Sequence, residues 1–348
     1  MSFPRPLVMR CGAFGDMVLL TALLHQLEAR LGTPADIIAS GAWSVPLLAG
    51  QPGVGEIFIL ESRKAAYWAS PGQQRLVRWL RARGAGPTWF CDPGPGRQLL
   101  RRGGIPDDFV CEDRALPRLA GEHFVDRWIR FANQTPAAFS AVMQPPATRI
   151  ASAAVLEIDP VARAELLPWL ARRAIANDEL ILIQAGNKRT MRGWLRGRAS
   201  NTKYWPDEYW AEVVRGLRGA RPHAAILLLG VPQEFTVNAQ IIRHANVPGV
   251  HNVADDLPIR ILLPLLERAR SLVSVDTGPA HAAAALKCRT VALFGTSDPI
   301  LYRPGGTITP AITLVGEVDG QRNILGIKPQ TVLTAWHELM SRDLAVRP

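Results

Sequence analysis

Residues 272–286 join a short apolar run to a run of alanines through a tight polar turn. Leu272-Val273-Ser274-Val275 is partly β-branched and predicts a buried strand, whereas the alanines after Pro279 predict a helix. Gly278 allows a tight turn, and proline suits the first helical turn because no backbone N–H is needed there. The free amides of that turn would favour an anion such as phosphate. Asp, Gly and Pro are equally typical of an ordinary strand-to-helix connection.

Apolar runs and helical segments alternate along the whole chain. Strands are predicted at residues 7–11, 37–39, 56–60, 88–91, 180–183, 225–229, 272–275 and 290–294. Helices are predicted at 17–31, 206–218, 234–244 and 329–342. This alternation predicts an α/β protein with parallel sheets and helices on their faces.

The loose, proline-bearing segment 136–146 indicates a domain boundary, and 348 residues suffice for two domains. We predict an N-terminal domain at residues 1–155, a linker at 156–178 and a C-terminal domain at 179–328. Residues 329–348 form a terminal helix that is a candidate to pack back on the N-terminal domain. Ligands are expected at the carboxyl ends of the strands and between the domains.

The balance of 40 Lys and Arg against 30 Asp and Glu gives a net charge of +10, which suits nucleic acid, anionic lipid or phosphorylated substrates. Nucleic acid is not favoured, because the chain has no zinc-finger spacing, aromatic-rich RNA-binding strand or isolated basic tail. A basic nucleic-acid-binding protein stays an alternative, and it predicts oligonucleotide binding with a steep salt dependence.

The four cysteines are widely spread and predict packed thiols rather than disulfides or a metal site. No signal-peptide core and no run of about 18 to 20 apolar residues is present, so we expect a cytoplasmic protein.

The loop after the first strand, Gly12-Ala13-Phe14-Gly15, superficially resembles a dinucleotide-binding turn. It lacks the third glycine, and Asp36 precedes the next strand where an acid should end it, so a redox cofactor is not favoured. Asp16 heads the first helix. A lone Asp at this position is most often a helix cap.

In the second domain, loops rich in small or basic residues follow four strands, at residues 184–189, 230–234, 276–281 and 295–299. Their convergence at one sheet edge fits a nucleotide diphosphate. Lys203 precedes a helix that begins at a proline, and a cation there would offset diphosphate charge without a metal. The basic loop 188–202 is otherwise typical of a solvated segment.

These motifs resemble glycosyltransferase family 9, whose best-known members are the ADP-heptose:lipopolysaccharide heptosyltransferases. The resemblance rests on Gly15-Asp16, Lys203-Tyr204-Trp205-Pro206, Gly230-Val231-Pro232-Gln233-Glu234, Asp276-Thr277-Gly278-Pro279-Ala280-His281 and Phe294-Gly295-Thr296-Ser297-Asp298-Pro299, which occur in the family's order. It implies a GT-B fold, in which two Rossmann-like domains face a central cleft.

The resemblance also implies an inverting, metal-independent sugar transfer without a cofactor. Asp16 would be the general base, Lys203 would bind donor phosphate, and Glu234 would hydrogen-bond the ribose. Thr277, Gly278 and His281 would lie at the diphosphate. Further donor-site candidates are Gly15, Asn187, Lys188 and Asp276. His281 alternatively caps or packs its helix, and Asp276 alternatively braces its own loop.

The implied function is transfer of heptose from ADP-heptose to a lipopolysaccharide-core or related glycan acceptor, at the inner face of the bacterial inner membrane. The positive charge suits peripheral contact with anionic lipid. Ala22, where many family members have proline, and the long basic loop 188–202 leave the donor sugar, its base and the acceptor open. The alternative is a catalytically silent nucleotide-sugar-binding protein of the same fold.

Overall fold

The computed structural model describes residues 4–92, 94–143, 145, 148–150, 153–176, 178–187, 190, 201–305 and 310–342. The chain divides into two compact units, Met1–Glu157 and Ile158–Pro348. Each unit is built on a parallel sheet with helices in the connections, which confirms the predicted α/β class. No helix in the described part of the chain has the length and apolar character needed to cross a membrane.

The first unit contains five strands and five α-helices in its described residues. The strands are β1 (Leu7–Met9), β2 (Ala35–Ala39), β3 (Val54–Ile59), β4 (Thr88–Phe90) and β5 (Val110–Glu112). The helices are α1 (Phe14–Leu31), α2 (Ser44–Leu48), α3 (Pro71–Arg83), α4 (Gly96–Arg102) and α5 (Phe124–Ala132). The strands pair in parallel in the order β3-β2-β1-β4-β5, and the apolar strand β1 is fully buried at the centre.

Helix α1 is buried on most of its surface, which explains why its sequence is apolar nearly all round. It begins at Phe14, three residues before the predicted start, so Gly15 and Asp16 lie in its first turn rather than in a loop. The Asp16 side chain makes this possible by accepting the Ala13 N–H at 2.8 Å. The helix ends at Leu31, and the following Gly32 has a φ of 67°, the left-handed conformation that glycine adopts readily.

The last residues of the first unit run back over its first helices and are held by polar side chains. Thr21 accepts the Val155 N–H at 2.9 Å, and Gln26 accepts the Ile150 N–H at 3.2 Å. Gln51, just after α2, bonds both backbone groups of Glu157 at 2.7 and 2.8 Å. We call the described residues of this segment, 148–150 and 153–157, the strap.

The second unit is built on a six-stranded parallel sheet. Its strands are β6 (Leu180–Gln184), β7 (Ala225–Leu228), β8 (Val250–Asn252), β9 (Ser271–Val275), β10 (Arg289–Phe294) and β11 (Ala311–Val315). They pair in the order β11-β10-β9-β6-β7-β8. The short strands β12 (Glu317–Val318) and β13 (Gln321–Arg322) form a separate antiparallel pair.

The helices of the second unit cover this sheet. They are α6 (Pro160–Ala171), α7 (Asp207–Ala220), α8 (Phe235–Ala245), α9 (Ile259–Arg268), α10 (Gly278–Ala285), α11 (Pro299–Tyr302) and α12 (Pro329–Ser341). Helix α6, within the segment predicted as a linker, packs on α9, and α12 packs on α7 and β10. The contact of residues 329–348 with the N-terminal domain stays a prediction.

Both sheets reverse their strand order beside the first strand of the unit. In the first sheet β1 lies between β2 and β4, and in the second β6 lies between β7 and β9. The chain therefore continues from β1 and from its neighbour β4 toward opposite edges of the first sheet. It does the same from β6 and its neighbour β9 in the second sheet. A crevice at the carboxyl ends of such strands is where Rossmann-like sheets bind ligands.

Candidate functional site

The buried carboxylate of Glu234 is the centre of the first cluster in the second unit. Glu234 follows β7, ends a short 3₁₀ turn and is only 3% exposed. It accepts hydrogen bonds from the Thr190 hydroxyl at 2.7 Å and the Val231 N–H at 3.2 Å. Burial raises its pKa above the ordinary glutamate value, because a charged carboxylate is less well solvated there.

Gly186 lies directly against Glu234, at the end of β6. A Cβ atom at residue 186 would lie 2.0 Å from Glu234 Oε1, far inside van der Waals contact. The Gln184 side chain closes the same space, since its Nε2 lies 3.0 Å from the Gly186 carbonyl oxygen and 3.5 Å from Glu234 Oε2. The absence of a side chain at residue 186 therefore permits the position of the Glu234 carboxylate.

A second cluster, Lys203, Asp276 and His281, lies at the end of β9. Lys203 Nζ donates to the Asp276 backbone carbonyl at 2.9 Å and pairs with Asp276 Oδ2 at 2.5 Å. His281 Nε2 lies 3.8 Å from the other carboxylate oxygen. The Asp276 side chain is 8% exposed, whereas that of Lys203 is 34% exposed. The cation is thus fixed by a buried acid and still accessible to an anionic ligand.

Helix α10 begins beside this cluster. Thr277 is extended (φ −145°, ψ 170°), and Gly278 and Pro279 form the first helical positions, as the sequence predicts. The Thr277 hydroxyl lies 3.1 Å from that of Ser274 in β9. The amides at the start of an α-helix carry partial positive charge, so this edge combines a helix N-terminus with the Lys203 ammonium.

Asn187 lies between the two clusters. Its N–H donates to Thr190 Oγ1 at 2.8 Å, and Thr190 in turn donates to Glu234. Its Nδ2 donates to the Lys203 backbone carbonyl at 3.4 Å. The structure therefore brings Asn187, Lys203, Glu234, Asp276, Thr277, Gly278 and His281 to one edge of the second sheet, at the strands where its order reverses. Lys188 lies outside the described residues.

In the first unit, Asp16 follows β1 and so lies at the carboxyl end of a central strand, as the site residues of the second unit do. Its Oδ2 accepts the Ala13 N–H, and its Oδ1 lies 3.3 Å from Arg10 Nη2 in an ion pair. Gly12 is closely packed here, because a Cβ at this position would lie 2.6 Å from that of Asp16. The Asp16 side chain is 32% exposed, so its carboxylate is both oriented and accessible. Gly15 precedes it in the first turn of α1.

Sequence reasoning missed Arg10, the ion-pair partner of Asp16, and the pair of Asp92 with Arg63 at the end of the neighbouring strand β4. Arg10 Nη1 donates to the Cys91 carbonyl at 2.6 Å. Asp92, just after β4, accepts the Cys11 N–H at 2.9 Å and pairs with Arg63 at 3.0 Å. A sequence signal for Asp92 was available, because this residue directly follows a predicted strand. Asp16 similarly lies after the predicted first strand. These contacts join the ends of β1 and β4 at the reversal of the first sheet.

Two further expectations concern a metal site and the state of the cysteines. Among the described residues, no three His, Cys, Asp or Glu side chains are grouped so as to hold a metal ion. The four cysteines are free thiols in the structure; Cys11, Cys91 and Cys288 are buried, as expected for packed thiols, and Cys111 is half-buried.

Comparison with solved structures identifies the fold. The E. coli ADP-heptose lipopolysaccharide heptosyltransferase II shares 19% identity with a TM-score of 0.73, over 97% of this chain and 98% of its own. A glycosyltransferase family 9 structure from Veillonella parvula shares 18% identity with a TM-score of 0.75, over 97% of both chains. The two Rossmann-like units are therefore those of a GT-B glycosyltransferase, which confirms the predicted fold class.

Sequence comparison gives the family. Residues 111–321 match the model of glycosyltransferase family 9 (heptosyltransferase). Lipopolysaccharide heptosyltransferase 2 of Salmonella typhimurium is 22% identical over 354 aligned residues, which cover 94% of this chain and 96% of that protein. The chain belongs to glycosyltransferase family 9 and is a heptosyltransferase-like enzyme.

Proposed function

We propose that the chain transfers heptose from ADP-heptose to a lipopolysaccharide-core or related glycan acceptor. For the sugar donor, the observation that carries the proposal is a pairing at one sheet edge. An accessible cation, Lys203, lies beside a helix N-terminus, and the same edge holds Glu234. A cation and free amides suit a diphosphate, and a carboxylate suits the two hydroxyls of a ribose. The names of the E. coli and Salmonella relatives supply the heptose and the lipopolysaccharide.

In this proposal the second unit holds the donor. Lys203, the first amides of α10 and His281 bind the diphosphate, with Asn187 and Lys188 beside it, and Glu234 accepts hydrogen bonds from the ribose. Asp276 fixes the Lys203 ammonium and keeps it at the phosphate, which its buried ion pair supports. Gly15 leaves space for the sugar in front of Asp16.

Asp16 acts as the general base. The acceptor hydroxyl oxygen attacks the anomeric carbon from the face opposite the diphosphate, and the bond from that carbon to the phosphate oxygen breaks as the new bond forms. The hydroxyl proton passes to the Asp16 carboxylate, and the anomeric configuration inverts. The Asp16 carboxylate is oriented by Ala13 and Arg10 and is exposed, which supports its role as the base.

The departing ADP gains negative charge as the bond breaks. We propose that Lys203 and the α10 amides stabilise this charge directly, in the place that a divalent metal takes in other transferases. Because the acceptor is linked to lipid, the proposed reaction takes place at the cytoplasmic face of a bacterial inner membrane.

The test is a transfer assay with ADP-heptose and a heptose-deficient lipopolysaccharide core, followed by mass spectrometry of the acceptor. We expect a mass increase of one heptose, release of one ADP, and the same rate after treatment with EDTA. Binding of ADP-heptose without transfer to any core acceptor would instead support the catalytically silent alternative. A rate abolished by EDTA and restored by a metal would contradict metal independence.

A further inference from the structure

Trp68 is the most exposed large apolar side chain in the described part of the chain. It is 83% exposed, whereas the next, Val142, is 61% exposed. It lies in a short 3₁₀ turn, Tyr67–Ala69, in the connection between β3 and α3. Three small apolar residues of this connection, Ala65, Ala66 and Ala69, are exposed as well. A fully exposed indole is unusual on a protein surface that faces water. It suits a lipid headgroup region, where the ring meets apolar lipid on one side and water on the other.

The connection that carries Trp68 is fixed to the start of α3. The buried Gln73 side chain donates to the carbonyls of Ser62 at 3.0 Å and Ala65 at 2.9 Å. Gln74 donates to the carbonyl of Tyr67 at 3.2 Å and to that of Trp68 itself at 3.1 Å. Four backbone carbonyls are thus held by two neighbouring glutamines. The ordered backbone presents the indole to solvent without a large loss of chain entropy on binding.

Cations surround this turn. Lys64 is exposed four residues before Trp68, and Arg78 is exposed one helical turn after Gln74, so it lies on the same side of α3. The Arg102 guanidinium, at the end of α4, lies 4.3 Å from the centre of the Tyr67 ring. We call Lys64, Tyr67, Trp68, Arg78 and Arg102 the Trp68 surface. Each basic side chain would attract an anionic membrane, and the effect adds over neighbouring residues.

We propose that the Trp68 surface docks the enzyme on an anionic lipid bilayer, with the indole in the headgroup region and the cations at the lipid phosphates. This inference rests on the proposed function in one respect, because a lipid-linked acceptor must be reached at a membrane surface. The combination of one exposed aromatic ring and several cations favours a bilayer over a second protein chain, since neither a groove nor a matching acidic surface is needed.

The first test measures sedimentation of the full chain with vesicles of phosphatidylglycerol and phosphatidylethanolamine, and with vesicles of phosphatidylcholine alone. We expect binding to the anionic vesicles only, weakened by salt. Trp68→Ser is expected to weaken it about tenfold, and Lys64→Gln with Arg78→Gln about 25-fold, from about fivefold for each cation removed. Val142→Ser controls for lost apolar exposure, and Arg118→Gln with Lys287→Gln controls for lost charge; both should bind like the wild type.

The second test compares transfer to acceptor embedded in anionic vesicles with transfer to a water-soluble, deacylated acceptor. Trp68→Ser is expected to slow the first about tenfold and to leave the second unchanged. Unchanged vesicle binding by Trp68→Ser would overturn the proposal. An equal loss with the soluble acceptor would also overturn it, because the indole would then contact the glycan. If the wild type transferred nothing to either acceptor, the proposed function would fail, while vesicle binding would still decide the role of the Trp68 surface.

Discussion

The Lys203 ammonium lies 2.5 Å from Asp276 Oδ2 and 2.9 Å from the backbone carbonyl of the same residue. An ammonium has three N–H donors, and Asp276 takes two of them. The third is left for a ligand on the exposed third of the side chain. Asp276 therefore fixes the Lys203 ammonium and leaves one of its donors available, as the proposed role of Lys203 at the donor phosphate requires.

Replacement of Lys203 by methionine should weaken ADP binding. The loss of one charge-assisted hydrogen bond corresponds to about 1.5 to 3 kcal/mol, or about 10- to 150-fold in Kd. Isothermal titration calorimetry measures the change. Lys287→Met, just past the other end of α10, is the matched control and should leave the Kd unchanged. An unaltered Kd for Lys203→Met would remove this residue from the phosphate site.

Replacement of Asp16 by asparagine should abolish most of the turnover and preserve the fold. The asparagine oxygen can still accept the Ala13 N–H, but the side chain cannot take a proton at neutral pH. We expect kcat to fall by about 10²- to 10⁴-fold with the Kd for ADP-heptose retained. Asp126→Asn, which alters an exposed carboxylate on α5, should keep the full rate. Near-normal turnover of Asp16→Asn would show that another group is the base.

Donor affinity should depend on pH through Glu234. Burial raises the pKa of Glu234 in the free protein, and only the carboxylate form accepts hydrogen bonds from both ribose hydroxyls. The carboxylate is therefore present above the raised pKa, and binding weakens as the pH falls through it, by about tenfold for each pH unit below. ADP-heptose is the suitable ligand, since its diphosphate has no terminal ionisation near neutral pH.

The comparison variant for this pH series is Glu234→Gln, whose side chain does not titrate. Its Kd for ADP-heptose should be higher than that of the wild type at pH 7, and the ratio of the two Kd values should shrink as the pH falls through the raised pKa of Glu234. A ratio that stays constant from pH 7 to below the ordinary glutamate pKa would show that Glu234 does not contact the ribose.

Gly186→Ala tests the packing against Glu234. The new Cβ would lie 2.0 Å from the carboxylate oxygen, so Glu234 must leave its three donors or the end of β6 must shift. We expect a loss of about 1 to 3 kcal/mol in unfolding free energy and weaker ADP-heptose binding. Gly219→Ala is the control, because its Cβ in helix α7 would meet nothing within 4 Å, and it should stabilise the protein by up to about 1 kcal/mol. Equal stability of the two variants would contradict the crowding at residue 186.

The central strands were predictable from sequence because both of their faces are buried. β1, β6 and β9 consist mainly of apolar residues, and their predicted and observed bounds agree within two residues. Of the four edge strands of the two parallel sheets, β3 was predicted, whereas β5, β8 and β11 were not. β5 (Val110–Glu112) and β8 (Val250–Asn252) have three residues each, carry polar side chains and are half-buried, so no apolar run marks them. Helix α9 was missed because Pro264 interrupts its pattern.

The site was predictable where its residues lie within one short motif. Asp276, Thr277, Gly278 and His281 follow a buried strand, and the turn chemistry alone places them at a helix start. The contacts of Glu234 were not predictable, since Thr190 reaches it from 44 positions away along the chain. The same is true of the contact between Cys11 and Asp92, because it depends on β1 and β4 becoming neighbours in the sheet.

The strap has a consequence for the order in which the protein folds during synthesis. Thr21, Gln26 and Gln51 are buried polar side chains that accept hydrogen bonds from the backbone N–H groups of Val155, Ile150 and Glu157. Until those residues leave the ribosome, the three side chains cannot be buried with these hydrogen bonds made. A nascent chain halted before residue 148 should remain sensitive to protease, whereas one extended past residue 157 by the length of the exit tunnel should become resistant.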